Sequence, residues 1–416
     1  MNTQVHPADP AAKEVRLQTQ KAVFVLAAAL LTAACGSAHL DAQGTGLVAL
    51  EADGLLAGPY IAGWALDGLS IRFESGTRCQ KTKVSIHRTG GMKSLPVTRV
   101  WPDGKPEYGA YICQAPLPKI SACQIVTYRL QHRQTLNKEH SFKAPPHPGE
   151  ICPGGMKIAI IGDSRTHHKI HGRLAAAIRK FEPHLLMHNG DLVDHTERIA
   201  EWRKFFEVQK ETLSRALFAV SPGNHEVLPE GHKSAAGARR MDRYFKTQSG
   251  GGVGHYTLDF GVVHLIVLDT YFGEQLDNGG MDWLKGHLKS LPEKQIVIVL
   301  LHEPPVSFGK YDPGVELRYL RQVLLEHDVD AVFAGHQHLY EHFKIGQTHF
   351  VTSGGGGAEL HQEWAGVKEE QRPWLKMHKA VYQWVSLEIE ENRKMHFKAI
   401  DIDGHVLEEW TVDKAQ

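Results

Sequence analysis

KIAIIGDSRTHHKIHGRLAAAIRKFEPHLLMHNGD, residues 157–191, is the stretch that decides the fold. Lys157–Ile161 is a short apolar run, the mark of a buried strand, and it stops at Gly162-Asp163. A helix is expected over roughly Ile170–Phe181, then a second strand, His184–His188, that stops at Asn189-Gly190-Asp191. The same alternation continues downstream. A helix over about Glu197–Leu213 leads to the strand Leu217–Val220 and the loop Pro222-Gly223-Asn224-His225-Glu226. Gln295–Leu301 is a strand ending at His302. A helix near Gly314–Glu326 then leads to Val329–Ala334 and Gly335-His336-Gln337-His338. Strand, polar cluster and helix in repetition predict an α/β architecture with its ligands at the carboxyl ends of strands. Further strand-like segments in 255–269 and 347–412 predict two mixed sheets packed face to face with helices outside.

Upstream, residues 45–143 read differently. Tyr60–Trp64, Leu69–Phe73, Lys83–His87 and Gln124–Gln131 are short alternating runs broken by Gly, Pro and Asp-Gly turns, with Asp103-Gly104 a hairpin candidate. They predict a small all-β, fibronectin-like sandwich. The Pro- and Gly-rich run 144–155 reads as a linker. The expected organisation is an export segment over 1–40, a β-sandwich over 41–148 and a catalytic domain over 149–416.

The first forty residues read as a sorting signal. Arg16 and Lys21 precede the apolar run Ala22–Leu31, and Thr32-Ala33-Ala34-Cys35-Gly36-Ser37 follows. Such a segment is a secretory signal, too short to span a bilayer stably. Two endings are compatible with it: lipidation of Cys35, which would attach the chain to a membrane, or plain cleavage, with Thr32 standing where lipoprotein signals usually carry Leu. The chain is therefore expected in the cell envelope or outside the cell. Cys79, Cys113, Cys123 and Cys152 remain, enough for two disulfides in any of three pairings.

Composition narrows the partners. The 416 residues carry 47 basic and 47 acidic side chains and no basic block, so nucleic acid is not an expected partner. The 27 histidines are the outlying count, and most lie beyond residue 152. Asp163, Asp191, Asn224, His302, His336 and His338, each at a strand end, offer carboxylate, amide and imidazole donors. That set suits Mn, Fe, Zn or Co. A carboxylate bridging two such ions is the usual arrangement for phosphoester hydrolysis.

In its order, the series Gly162-Asp163, Gly190-Asp191, Gly223-Asn224-His225-Glu226, His302 and Gly335-His336-Gln337-His338 resembles the calcineurin-like metallophosphoesterase signature. With His302-Glu303-Pro304-Pro305 and Gly335–Glu341, it is most similar to purple acid phosphatases and their bacterial relatives. The resemblance implies a four-layer fold and a phosphatase acting on phosphorylated small molecules through two metal ions and an activated hydroxide. It implies that Asp191 bridges the ions, that Asp163 and His338 hold the first, and that Asn224, His302 and His336 hold the second. His225 would serve the leaving group, with Glu226 behind it.

The chain departs from that pattern twice. Arg165 stands where many members have a histidine, and Asp194 where purple acid phosphatases have a tyrosine. Asp194, His167 and His168 are possible substitute ligands. Arg165 either grips substrate phosphate or forms a structural salt bridge. Gly354–Gly357 either lets backbone approach the ions or forms a turn, and Pro229–Gly254 reads as a loop over the site. These departures also admit a non-catalytic envelope binding protein on a degenerate fold. Phosphodiesterase and phosphomonoesterase chemistry both suit the site.

Overall fold

The computed structural model describes residues 54–63, 66–102, 105–132, 136–227, 235–245, 255–270, 279–292, 295–362 and 369–414. The export segment, Cys35 and the Asp103-Gly104 turn lie outside the described residues.

Alternation with period two sets the layers of the larger part. β9 (Met156–Ile161) turns Ile158 and Ile160 to one face and Ala159 and Ile161 to the other. It is central in a six-stranded sheet ordered β11 (Leu217–Val220), β10 (Leu185–His188), β9, β19 (Gln383–Ile389), β20 (Lys394–Asp401) and β21 (Val406–Asp413). β9, β10 and β11 run parallel, and β19 is antiparallel to β9. A seven-stranded sheet is ordered β12 (Tyr256–Phe260), β13 (Val263–Val267), β14 (Ile296–Leu300), β15 (Ala331–Ala334), β17 (Thr348–Ser353), β16 (Tyr340–Ile345) and β18 (Leu375–Lys379).

The inner faces share one core. Ile158, Ile160, Leu185 and Met187 of the first sheet join Leu265, Ile298, Leu300 and Phe333 of the second. On the outer face of the six-stranded sheet, Leu174 and Ile178 of helix His168–Phe181 and Trp202, Phe205 and Phe206 of helix Ile199–Leu213 cover Ala159, Ile161 and Leu186. On the other side, helices Met281–Ser290 and Val315–Glu326 cover Val297, Val299 and Val332. Four layers result, helix, sheet, sheet, helix, with each buried Leu, Ile, Val or Phe contributing roughly 1.5–3 kcal/mol.

Before β9 lie two four-stranded antiparallel sheets. One orders β1 (Leu55–Ala62), β2 (Ser70–Ser75), β6 (Tyr111–Pro116) and β5 (Thr98–Trp101). The other orders β4 (Gly91–Leu95), β3 (Thr82–Arg88), β7 (Ile125–His132) and β8 (Leu136–Lys143). Ile71, Phe73 and Ala115 of the first pack with Val84, Ile86 and Leu130 of the second. Cys79 is bonded to Cys113 and Cys123 to Cys152, so the second disulfide fastens the 144–155 segment to the end of this region. β4, β5 and β8 escape a sequence reading because they are edge strands with little apolar alternation.

The reading of Pro229–Gly254 as a loop over the site needs correction. Ala235–Phe245 within it is a helix, and its buried Met241 and Tyr244 pack with Trp202 and Phe206. Arg243 is buried against Glu74 of β2 at 2.8 Å, and Tyr244 Oη donates to the same carboxylate at 3.1 Å. This helix fastens the small sheets to the large ones. Among the described residues no helix is long and apolar enough to cross a membrane.

Candidate metal centre

The ends of β9, β10, β11, β14 and β15 converge, bringing Asp163, Asp191, Asn224, His302, His336 and His338 together. Asp163, Asp191 and His336 leave their strands with φ of 54°, 54° and 65°. Left-handed backbone at a non-glycine residue costs on the order of 1 kcal/mol or more and collects at functional sites. Gly223 is demanded by the close approach: a Cβ there would lie 2.2 Å from Asp191 Oδ1. Gly354 is similar, its would-be Cβ 2.1 Å from the Gln337 carbonyl oxygen and 2.9 Å from Asp163 Oδ2, which resolves the Gly354–Gly357 run as a close backbone approach.

Backbone carbonyls fix the tautomers. His302 Nδ1 donates to the Asn189 carbonyl at 2.6 Å, and His338 Nδ1 to the Glu359 carbonyl at 2.6 Å. In each ring Nε2 is therefore the nitrogen turned inward. His302 Nε2 lies 3.0 Å from Asn224 Oδ1 and 3.4 Å from Asp191 Oδ1, and His336 Nδ1 lies 3.1 Å from Asn224 Oδ1. Burial pushes His336 and His338 down to about 3, so both rings are neutral, as metal ligands must be.

Two carboxylates are buried side by side. Burial first, then the Asp191 charge, pushes Asp163 well above its ordinary value, although His336 N–H donates to it at 3.0 Å. Burial acts upward on Asp191 too, but His302, His225 and Arg165 hold it well below the usual carboxylate range. Imidazole nitrogens and an amide oxygen gathered beside two buried carboxylates fit a divalent cation. Asp191, Asn224, His302 and His336 offer one ion four donors. Asp163, Asp191 and His338 also lie close enough to share an ion, but there a cationic side chain is already in place.

That side chain is Arg165. Its Nη1 donates to Asp194 Oδ1 at 2.6 Å and its Nε to Asp191 Oδ2 at 3.2 Å, and its Nη2 lies 3.4 Å from His338 Nε2. Asp194 thus faces Arg165 and His195 rather than the donor cluster, which corrects its reading as a substitute ligand. His167, at the start of its helix, is exposed and lies 3.4 Å from Tyr382 Oη, and His168 is the first residue of that helix. Neither is gathered into the cluster.

Glu226 lies behind the donor cluster. Its buried carboxylate accepts N–H bonds from Asp191, Leu192, Val193 and Gly223 at 2.8–3.2 Å, so it shapes the turns that carry Asp191 and Asn224. His225 remains at the rim. Its Nδ1 donates to the Asp194 carbonyl at 2.7 Å, leaving Nε2 3.9 Å from Asp191 Oδ2. His361 escaped the sequence reading: it stacks on His338 at 4.1 Å, and its Nδ1 accepts the His338 N–H. It follows no strand, so no local signal marked it. Beside His336 opens a cavity of about 390 Å³, lined in part by Glu303, Pro304, Tyr311, Asp312 and Glu316.

Comparison with known proteins agrees with this geometry. Residues 156–340 match the calcineurin-like phosphoesterase family model. Over that segment the chain is similar to calcineurin-like phosphoesterases, and among them to purple acid phosphatases. Purple acid phosphatase 21 of Arabidopsis thaliana is 30% identical over 50% of this chain and 48% of its own length. Probable purple acid phosphatase 20 of the same plant is 27% identical over 50% and 49%. The chain spans about half the length of these curated relatives. A purple acid phosphatase from yellow lupin (Lupinus luteus) seeds shares the fold with a TM-score of 0.73, at 19% identity over 85% of this chain and 74% of that one. PhoD superposes with a TM-score of 0.61, at 11% identity over 89% and 95%.

Proposed function

We propose that the chain hydrolyses phosphomonoesters of small molecules in a metal-dependent reaction, outside the cytoplasm. The observation that carries this is the inward-facing set Asp191 Oδ1, Asn224 Oδ1, His302 Nε2 and His336 Nδ1, whose neighbouring atoms lie 3.0–3.4 Å apart at the ends of strands from both large sheets. A divalent ion held there would neutralise phosphoryl charge and make a water acidic enough to attack phosphorus, and positive charge at Asp163, Asp191 and His338, the first position of the resemblance, would add to it.

The remaining work falls to this chain's own groups. Asp191 fixes the geometry through its two oxygens. His225 Nε2, oriented by the bond from Nδ1 to the Asp194 carbonyl, is placed to donate a proton to the departing oxygen. The cavity beside His336 receives the alcohol portion of the ester.

Residues 41–148 are read as a fibronectin-like sandwich and 149–416 as the catalytic domain. Two disulfides and the Lys21-preceded apolar run support export, with Cys35 as the lipidation candidate. The test is a panel of phosphomonoesters and phosphodiesters assayed with added Mn, Zn, Fe or Mg. Faster cleavage of diesters would replace the monoesterase reading. No cleavage by a protein that also holds no metal would leave a binding protein.

A further inference from the structure

We infer that the two ion positions are unequal: Arg165 is the resident cation at the first, and a transition-metal ion binds tightly only at the second. This rests on the reading of the site as metal-dependent.

Arg165 occupies two of the three groups at the first position, Asp191 and His338, while Asp163 accepts the His336 N–H. At the first position, His338 Nε2 is the lone pair left when Nδ1 donates to the Glu359 carbonyl, and Arg165 Nη2 lies 3.4 Å from it. The Asp191 oxygen on the same side, Oδ2, accepts from Arg165 Nε at 3.2 Å. Asp191 is thereby divided: Oδ2 serves the guanidinium and Oδ1 faces His302 Nε2 at 3.4 Å. An ion drawing on His338 and Asp191 Oδ2 would displace these contacts and sit against a like charge that does not deprotonate.

Arg165 is also held in place. Asp194 grips Nη1 at 2.6 Å, and Asp194 is itself fixed by its N–H bond to Glu201 at 2.7 Å. The second position differs on each count. Its four donors lie 3.0–3.4 Å from their neighbours, and the Arg165 contacts reach only the other oxygen of Asp191. A guanidinium has five N–H groups, and three are engaged here. The others, on a side chain 16% exposed, supply to phosphoryl oxygens the positive charge that a first ion would otherwise bring.

The test uses the full chain loaded with Mn(II), dialysed, and measured for metal content and by electron paramagnetic resonance. Wild type is expected to retain about one ion per chain with the spectrum of isolated Mn(II). Arg165→His, which exchanges the cation for a donor, should retain about two with a spin-coupled spectrum. Arg165→Ala serves if the histidine variant does not fold, and the wild-type spectrum decides without any variant. A coupled pair in wild type, or a folded Arg165→His protein that still retains one ion, overturns the inference while leaving metal-dependent hydrolysis intact. A wild type that takes no ion and cleaves no phosphoester overturns both.

Discussion

Arg165 Nη1 and Asp194 Oδ1 lie 2.6 Å apart, so the two residues at which the sequence departs from the signature it resembles are each other's partner. One change alone would strand a charge beside the site. Together they convert a ligand position into a buried-edge ion pair that also reaches Asp191 and His338.

On the proposed reading, Asp191 is the residue that both ion positions share. Asp191→Asn should lose most bound metal and at least ~10³-fold in turnover, about 4 kcal/mol of transition-state stabilisation. Metal analysis alongside kinetics checks this, and full metal retention would remove Asp191 from the shared role.

His225 should separate binding from chemistry. In His225→Ala, metal content should stay near wild type while turnover falls ~10²–10⁴-fold, the range for a positioned acid. Nitrophenyl esters, whose leaving group needs little protonation, should suffer least. An equal loss across leaving groups would contradict the assignment.

Glu226→Gln should act on folding. The amide keeps one acceptor oxygen for a site at which the carboxylate takes four N–H bonds. Urea titration should show a loss of about 2–4 kcal/mol.

Arg243→Met should loosen the small sheets from the large ones. It leaves Glu74, fully buried, with Arg203 and Tyr244 as partners. Breaking one partner of a buried pair costs about 3–5 kcal/mol, and Arg203 keeps the expected loss near the lower end. Limited proteolysis and urea unfolding should both report it; unchanged stability would mean Arg203 compensates fully.

Acid should destabilise the fold through His171. Burial pushes this ring down to about 3 from an ordinary 6.5, and it lies 2.8 Å from Gln209 Nε2. Between those values the unfolded chain binds a proton that the folded chain refuses, so stability falls as pH drops through the window. From pH 6.5 to 5 the contribution is about 2 kcal/mol. His171→Asn should flatten the melting-temperature profile over that interval relative to wild type.

The strand ends were legible because each is local: an apolar run followed by Gly-Asp, Asn-His or His-Gln-His states its own geometry. What the sequence withheld is of another kind. The carbonyls of Asn189 and Glu359, which set two imidazole tautomers, belong to backbone and carry no side-chain signal. Arg165 and Asp194 are 29 positions apart, and only the meeting of two strand ends pairs them. Glu226 looked catalytic from its neighbour His225, yet its carboxylate is spent on four amide protons. The helix Ala235–Phe245 was hidden by polar residues whose burial depends on Glu74, far away in the chain.

Asp163 and Asp191 end strands of the six-stranded sheet, while His302, His336 and His338 follow strands of the seven-stranded one. An ion coordinated from both sides is a gauge of the gap between two slabs. Coordination tolerates only about 0.5 Å of misplacement, so repacking Ile160, Met187, Leu300 or Phe333 in the core the two sheets share would detune affinity without touching a proposed ligand. Conversely, each increment of ion affinity at the proposed centre would become clamping force on the seam, which would make the interior between the sheets as much a part of the coordination chemistry as the side chains at its mouth.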